Sequence, residues 1–384
     1  MSSATAGRPS ALRRRVALAC VLAVGLAASV PAALGASSHL APAGFFGVGG
    51  WSYPSNTQAA TLGAAGLRLV RGSLAWGTIQ TDPDPASRNW SDPDRLMQDA
   101  AADHFNVLFD LDGCAVWACG AGYAPPSGTE LAAYEAFVQA AVERYAPGSP
   151  FWGGRRNVPT VSWQIWNEVN GGYFWPDPTP AAYATFLSEI STAIRAVDPT
   201  ATIVLSGLDQ LPGLSTGMRL VPFLRGLYRQ PEFRSSFNVV AIQGYAPNPT
   251  KSIGILDQTR RVMLRNGDGA RPIWVTEMGW AAGGPPSAFT VSPQTQQRYL
   301  VKSWDTMVAC RRRWNLKHVL WFSLQDFTGV DPNLPDYWGY HDGLIDASGV
   351  AKPAYASFLS FLGRGPFPGA QSCPLKGGMT VPGS

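Results

Sequence analysis

The chain has 384 residues, 46% hydrophobic and 15% charged, with 30 basic and 26 acidic side chains. The basic excess lies in the first 36 residues, where Arg8, Arg13, Arg14 and Arg15 stand without an acid; the other 348 residues carry 26 charges of each sign. A net charge near zero argues against nucleic acid or a polyanion as partner, and 348 residues suffice for one large α/β core.

Taken in chain order, Arg13, Arg14 and Arg15 precede the apolar stretch VALACVLAVGLAASV, which runs into PAALGASS. A basic start, an apolar run and small residues before a break predict a secretory signal peptide over 1–36, cleaved near Ala36. The run is short, rich in Ala and Gly and closed by Pro31, which favours a cleaved signal over a transmembrane anchor. The three arginines also fit a twin-arginine signal, and ALAC around Cys20 is a poor lipobox. The mature chain is therefore expected outside the cell, with no stable membrane insertion.

Eight short apolar runs follow: GFFGVGG (44–50), LRLVRG (67–72), FNVLFDLDG (105–113), VSWQIWNE (161–168), TIVLSG (202–207), FNVVAIQGY (237–245), RPIWVTEMGW (271–280) and HVLWFSLQD (318–326). Each is rich in β-branched or aromatic residues and ends in Gly or polar residues, as buried parallel strands do. Between them, 129–146, 179–198 and 292–314 carry apolar residues at three- and four-residue spacing, which predicts helices. The first and third of these are preceded by Ser or Thr suited to an N-cap. Strands alternating with helices predict a single-domain (β/α)8 TIM barrel over 37–363, with 364–384 a Gly/Pro-rich tail. An open doubly wound sheet is the competing architecture.

Four cysteines remain after the signal, an even number in an exported chain. Cys114 with Cys119 would close a small loop and Cys310 with Cys373 would tie down the tail; the other pairings stay open. No CxxC or HExxH pattern calls for a metal, and no cofactor is expected. The Asp-Pro pairs of TDPDPASRNWSDPD (81–94) mark turns and a helix start at Asp92 more than a calcium loop. No GxSxG is present for a Ser-His-Asp hydrolase.

Two of the predicted strands end in acid. The fourth closes on Asn167 and Glu168 in WQIWNE, the seventh on Glu277 in WVTEMGW, 109 residues later. In a barrel, functional side chains gather at the carboxyl ends of the strands, so the two glutamates would face each other across its mouth. Two facing carboxyl groups are what glycosidic bond cleavage requires: one protonates the leaving oxygen, the other attacks the sugar carbon or activates water.

WQIWNE and WVTEMGW resemble the acid/base and nucleophile motifs of the clan A retaining glycoside hydrolases. The longer stretch WQIWNEVNGGYFWPDPTPAAYATFL resembles glycoside hydrolase family 39 and its bacterial relatives acting on secreted polysaccharide, and the likeness runs through GLIDASGVAKPAY. The resemblance implies a TIM barrel, no metal, and double displacement with retention, Glu168 being the acid/base and Glu277 the nucleophile. Two positions depart from the pattern. Val169 stands where a proline usually follows Asn-Glu, and Gln243 occupies the place where related enzymes often carry His before Tyr.

Supporting residues are read around this pair. Asn167 would hydrogen-bond the sugar 2-hydroxyl, but strict alternation puts Asn167 and Glu168 on opposite faces, so the strand must bend at its tip. Arg71, rather than Arg68 earlier in the same run, would keep Glu277 ionised. Tyr245 would donate to Glu277. Trp321, Trp280 and Trp175 are the best-placed sugar platforms, with Trp51 and Trp117 in other strand-end loops. The loop 331–342, with His341, would wall the cleft. The expected function is a secreted retaining glycosidase acting on a β-linked glycoside or polysaccharide, its partner an oligo- or polysaccharide substrate. A transglycosidase using the same site and a carbohydrate-binding barrel without turnover are the rivals.

Overall fold

The computed structural model describes residues 41–120, 124–210, 216–329, 335–363 and 373–375. The predicted signal over 1–36, and the tail apart from Cys373–Leu375, lie outside the described residues. Eight strands alternate with helices of eight residues or more: β1 (Phe46–Val48), α1 (Asn56–Ala64), β2 (Leu69–Ser73), α2 (Ser91–Asp103), β3 (Asn106–Leu111), α3 (Thr129–Tyr145), β4 (Val161–Ile165), α4 (Pro180–Val197), β5 (Thr202–Val204), α5 (Leu220–Leu227), β6 (Val240–Gln243), α6 (Pro249–Arg265), β7 (Ile273–Glu277), α7 (Pro293–Ala309), β8 (Leu316–Trp321) and α8 (Pro353–Leu362).

The strands pair in parallel in the order β5-β4-β3-β2-β1-β8-β7-β6. The remaining gap is bridged where Val204 meets Val239 in parallel, and the Leu205 N–H donates to the Val239 carbonyl at 2.9 Å. The sheet thus closes on itself as a (β/α)8 barrel, which removes the two edges an open sheet would leave.

Alternation along each strand sorts the side chains. Leu69, Leu108, Val204, Val239, Ala241, Trp274 and Leu320 form one buried cluster, the apolar plug of the barrel. Two residues further on, β2, β3 and β6 carry Arg71, Asp110 and Gln243 in place of Leu69, Leu108 and Ala241, all buried. With period-two alternation these polar groups stack on the plug at the carboxyl end. The outward-facing residues pack under the helices, as where Phe109 of β3 and Trp163 of β4 lie with ring centroids 5.8 Å apart.

Helix ends show where local signals decide. Thr179 and Ser292 cap α4 and α7, accepting from Ala182 N and Thr295 N at 3.2 Å each. The helix at 129 is entered instead from Gly128, whose φ of 57° suits glycine, with no side-chain cap. The single helix expected over 292–314 breaks at Cys310, which leaves the helical region (φ −96°, ψ 8°) where it is bonded to Cys373, and a short turn Arg311–Trp314 follows. The disulfides are Cys114–Cys119 and Cys310–Cys373, with Cα–Cα distances of 6.0 and 4.7 Å. In the 81–94 stretch, Asp84 accepts from Ala86 N and both Asp94 oxygens are taken by Arg144, so these acids serve turns and ion pairs.

Candidate active site

Glu277 ends β7 and Glu168 lies three residues beyond β4, both at the carboxyl mouth and three strands apart round the ring. Each reaches the interior by breaking the alternation of its strand. On β4, Trp166 (φ 67°) and Glu168 (φ 40°) adopt left-handed backbone conformations, costly for residues with a side chain. The chain thus bends at the strand tip, beside Asn167 and Glu168. It is held by the Trp166 indole donating to the Phe174 carbonyl at 2.9 Å and by Gln164 Nε2 donating to the Trp166 carbonyl at 3.2 Å. On β7, a register shift pairs Gln243 with Glu277 and skips Thr276. Strict alternation from Trp274 would turn Glu277 outward; the irregularity re-aims it inward.

The surroundings of the two carboxyl groups differ. Glu277 is buried and surrounded by donors. Arg71 Nη1 lies 2.8 Å from Oε1, Gln243 Nε2 donates to Oε1 at 2.9 Å, and the Tyr245 hydroxyl donates to Oε2 at 2.9 Å. Burial pushes this carboxyl up, and Arg71 and Tyr245 pull it back towards the ionised form. Glu168 has weaker compensation. Burial pushes it well above the usual carboxylate range, Asp209 and Glu277 push in the same direction, and the Arg71 charge opposes them. The influences that favour the neutral form are thus stronger on Glu168 than on Glu277.

Arg71 is the hub of the site. It spans from Glu277 to Asp110 Oδ2 (2.5 Å), and donates to Gln164 Oε1 (3.2 Å) and Asn167 Oδ1 (3.1 Å). Gln164 Nε2 in turn donates to Asp110 Oδ1 at 3.0 Å. Asn167 Oδ1 also accepts from Gln243 Nε2 at 2.9 Å. With two donors on its oxygen, the Asn167 amide is oriented with its NH2 turned the other way, able to donate to a ligand.

Both departures from the motif have a local reason. Val169 is buried and its N–H donates to Ser206 Oγ at 3.3 Å, a bond proline cannot make. Gln243 donates to both Asn167 and Glu277 through one amide nitrogen, holding the two side chains together.

The tryptophans fall differently. Trp321 and Trp280 are fully buried and offer no face to a sugar. On β8, Leu320 points into the barrel, so Trp321 points out towards α7, between Trp280 and Trp304, and donates to the Asp342 carbonyl at 3.0 Å. Trp280 turns away from the mouth and donates to the Ala246 carbonyl at 2.8 Å. Trp175 is buried edge-on against Tyr183 and Phe186 of α4. Trp117 is half-buried on Trp76. Of the tryptophans singled out, Trp51 is the exposed one.

Asp110, Gln164, Asp209 and Tyr337 belong to the site without having been singled out from sequence. Asp110 and Gln164 were legible in principle: each is a polar residue two places beyond an inward-facing residue in a predicted strand. Tyr337 lies in the described part of the loop after β8; its ring centroid is 5.1 Å from Trp338, which in turn meets Tyr245, the donor to Glu277, at 5.5 Å. His341 in the same loop pairs with Asp336 at 2.8 Å.

No protein-family model matches the sequence, and no curated protein matches it. Solved structures do match by shape. A glucosidase from Croceicoccus marinus is 19% identical with a TM-score of 0.62, the match covering 83% of this chain and 67% of that one. The GH39 enzyme from Xanthomonas axonopodis pv. citri is 15% identical with a TM-score of 0.60, covering 83% and 66%. The GH5_18 protein from Streptomyces cattleya, solved with GlcNAc, is 15% identical with a TM-score of 0.61, covering 84% and 80%. The chain thus shares the TIM-barrel fold of these proteins, and spans about two thirds of the length of the first two.

Proposed function

We propose that the protein is a retaining glycoside hydrolase acting on a β-linked glycoside or polysaccharide, with Glu168 as acid/base and Glu277 as nucleophile. The observation that carries this reading is the asymmetry between the two acids. Arg71, Gln243 and Tyr245 converge on Glu277, whereas burial and Asp209 act on Glu168. Two carboxyl groups with pKa values pushed apart divide into a nucleophile and a general acid. The names of the solved structures sharing the fold, among them a glucosidase, a GH39 enzyme and a β-xylosidase, agree with it.

In the first step Glu277 attacks the anomeric carbon while Glu168 gives its proton to the leaving oxygen; the C–O bond breaks and a glycosyl ester forms. As Glu277 loses its charge, Arg71 keeps its ion pair with Asp110, and Glu168 becomes the ionised base. Water then attacks the same carbon, Glu168 takes its proton, and Glu277 leaves as carboxylate. The NH2 of Asn167 is turned to donate to the sugar 2-hydroxyl, a contact that strengthens in an oxocarbenium-like transition state.

The disulfides Cys114–Cys119 and Cys310–Cys373 fit an oxidising compartment. Together with the leader sequence they support export, with cleavage near Ala36 and the barrel spanning 37–363. Among the described residues, no helix is long and apolar enough to cross a membrane.

The test is a covalent trap. The mature protein is incubated with a panel of 2-fluoro β-glycosides and the adduct located by peptide mass. Label on Glu277, with retained configuration of the first product by NMR, is the expected result. Turnover with inversion, or label elsewhere, overturns the assignment; added sugar acceptors separate hydrolysis from transglycosylation, and saccharide binding without turnover by the unmodified protein would favour the binding barrel.

A further inference from the structure

Exposed aromatic side chains stand in loops at the carboxyl end of the barrel, the end that carries the two glutamates. Among the described residues, three aromatic side chains are strongly exposed: Trp51 (42%), Tyr337 (45%) and Tyr173 (53%). They stand in the loops after β1, β8 and β4, all at the carboxyl mouth. A buried tryptophan needs no explanation, but a large apolar ring held out to water does.

Trp51 is held rather than loose. Its indole N–H donates to the Gly339 carbonyl at 3.1 Å. Phe322, Phe327 and Tyr340 meet its ring at 71°, 46° and 66°, with centroids 5.3 to 5.5 Å away. None of these contacts is a parallel stack, and the side chain stays 42% exposed. Tyr340 also touches Tyr337 at 5.5 Å, so an aromatic shelf runs from Trp51 to Tyr337, and Tyr337 continues through Trp338 to Tyr245, the donor to Glu277. Next to Trp51, Ser52, Gln58 and Gln325 line a small depression, where Gln58 Nε2 donates to Gln325 Oε1 at 3.1 Å. A flat apolar face edged by amides and a hydroxyl matches a sugar ring, which has an apolar C–H face and a rim of hydroxyls.

The strand order gives the shelf a direction. Glu168, on β4, protonates the departing oxygen, so the departing part of the chain lies over β4. The part transferred to Glu277 runs the other way. Round the ring, β8 is four strands from β4 and β1 is three. The Trp51–Tyr337 shelf therefore lies on the transferred side and Tyr173 on the departing side.

We propose that the mouth is a groove open at both ends that seats an internal stretch of a β-linked polysaccharide, with Trp51 and Tyr337 stacking sugars on the transferred side and Tyr173 stacking one on the departing side. The protein on this view cuts within chains and does not trim single terminal sugars. The inference rests on the glycosidase reading above.

The test uses soluble mixed-linkage β-glucan, xylan and mannan, their oligosaccharides of two to six sugars, and aryl β-monoglycosides. Early loss of polymer viscosity relative to reducing ends, with internal cuts in the hexamers, is expected. Trp51→Ala and Tyr173→Ala should each lower the ratio of kcat/KM on hexamer to that on monoglycoside about tenfold, through KM. Trp51→Phe, which keeps a flat ring, should recover much of that ratio, and Tyr173→Ala carries the test should Trp51→Ala not fold. Release of single terminal sugars alone, or a ratio unmoved by both alanine variants, overturns the groove while labelled Glu277 leaves the glycosidase standing. No hydrolysis of any probe and no label on Glu277 overturns the glycosidase reading, and the groove with it.

Discussion

The Asn170 side chain clamps the backbone of Asp209 from both sides, its Oδ1 accepting from Asp209 N at 2.9 Å and its Nδ2 donating to Asp209 O at 2.7 Å. The same Nδ2 donates to the Met218 carbonyl at 2.7 Å, so the loop beyond β5 is pinned to the residue two places after Glu168. The backbone of Asp209, the residue whose charge most strongly raises the proposed acid, is thereby held.

A pH profile follows from this clamp. After burial, Asp209 is the largest cause raising Glu168. The basic limb of activity is the loss of the Glu168 proton. Removing a negative neighbour lowers that pKa, so Asp209→Asn should move the basic limb to lower pH and leave the acidic limb, set by Glu277, in place. kcat/KM against pH for both proteins checks it; a basic limb that does not move assigns Asp209 another role.

Arg71 links stability to chemistry. It is buried between Asp110 and Glu277, and both would lose their counter-ion in Arg71→Met. Leaving buried carboxylates uncompensated costs about 3–5 kcal/mol. Glu277 would also rise, so the acidic limb moves to higher pH. Arg71→Lys restores a charge but not the fork that reaches Asp110, Gln164 and Asn167, and should recover stability only in part. Denaturant titration and the pH profile read the two effects separately.

The fold was legible because eight buried parallel strands announce themselves as short apolar runs, and the acids because each closes such a run. What escaped was anything that depends on which face a side chain takes. Trp321 looked well placed at a strand end, but on β8 it is the odd member of the alternation and belongs to the helix layer. Glu277 would have been turned outward by strict alternation from Trp274, and the irregularity between β6 and β7 leaves no mark in the sequence. Asp209 lies beyond β5 in a segment without period, and its nearness to Glu168 is a long-range fact.

Gly207 tests the packing behind Gln243. A Cβ there would lie 2.9 Å from Thr276 Oγ1 and 3.1 Å from Gln243 Cγ, inside ordinary contact. Gly207→Ala should push Gln243 off Glu277 and Asn167. Misplacement of this size lowers kcat on the order of ten- to a hundredfold. Gly207→Ala should cost less activity in a Gln243→Ala background than in the natural one, since the Gln243 contact is gone and only Thr276 Oγ1 still crowds the new methyl; full additivity in that cycle goes against this route.

The two glutamates should fail differently. Glu277→Ala removes the bond-forming group and abolishes turnover of every glycoside. Glu168→Ala removes a proton donor, a loss of roughly a hundred- to ten-thousandfold on poor leaving groups, and spares more of the rate on dinitrophenyl glycosides, which leave unprotonated. Initial rates across a leaving-group series give the slope. An unchanged slope in Glu168→Ala removes it from the acid role.

Asp342 gives a prediction in stability rather than rate. It is fully buried behind the mouth, and Ser323 Oγ donates to its Oδ1 at 3.2 Å. Burial pushes its carboxyl well above the usual range; Glu277 and Asp326 add to this, while Ser323 and Lys352 oppose. The folded chain therefore holds a proton that the unfolded chain releases above the ordinary carboxylate range, around pH 4. A group raised in the folded state contributes its full stability below the unfolded pKa and loses it as pH rises towards the folded value. Asp342→Asn cannot titrate, so its stability relative to the natural protein should improve steadily from pH 4 to pH 7, whatever the offset at pH 4. Denaturant midpoints at three pH values measure the trend, and a variant that loses ground towards neutrality would mean that Asp342 is ionised in place.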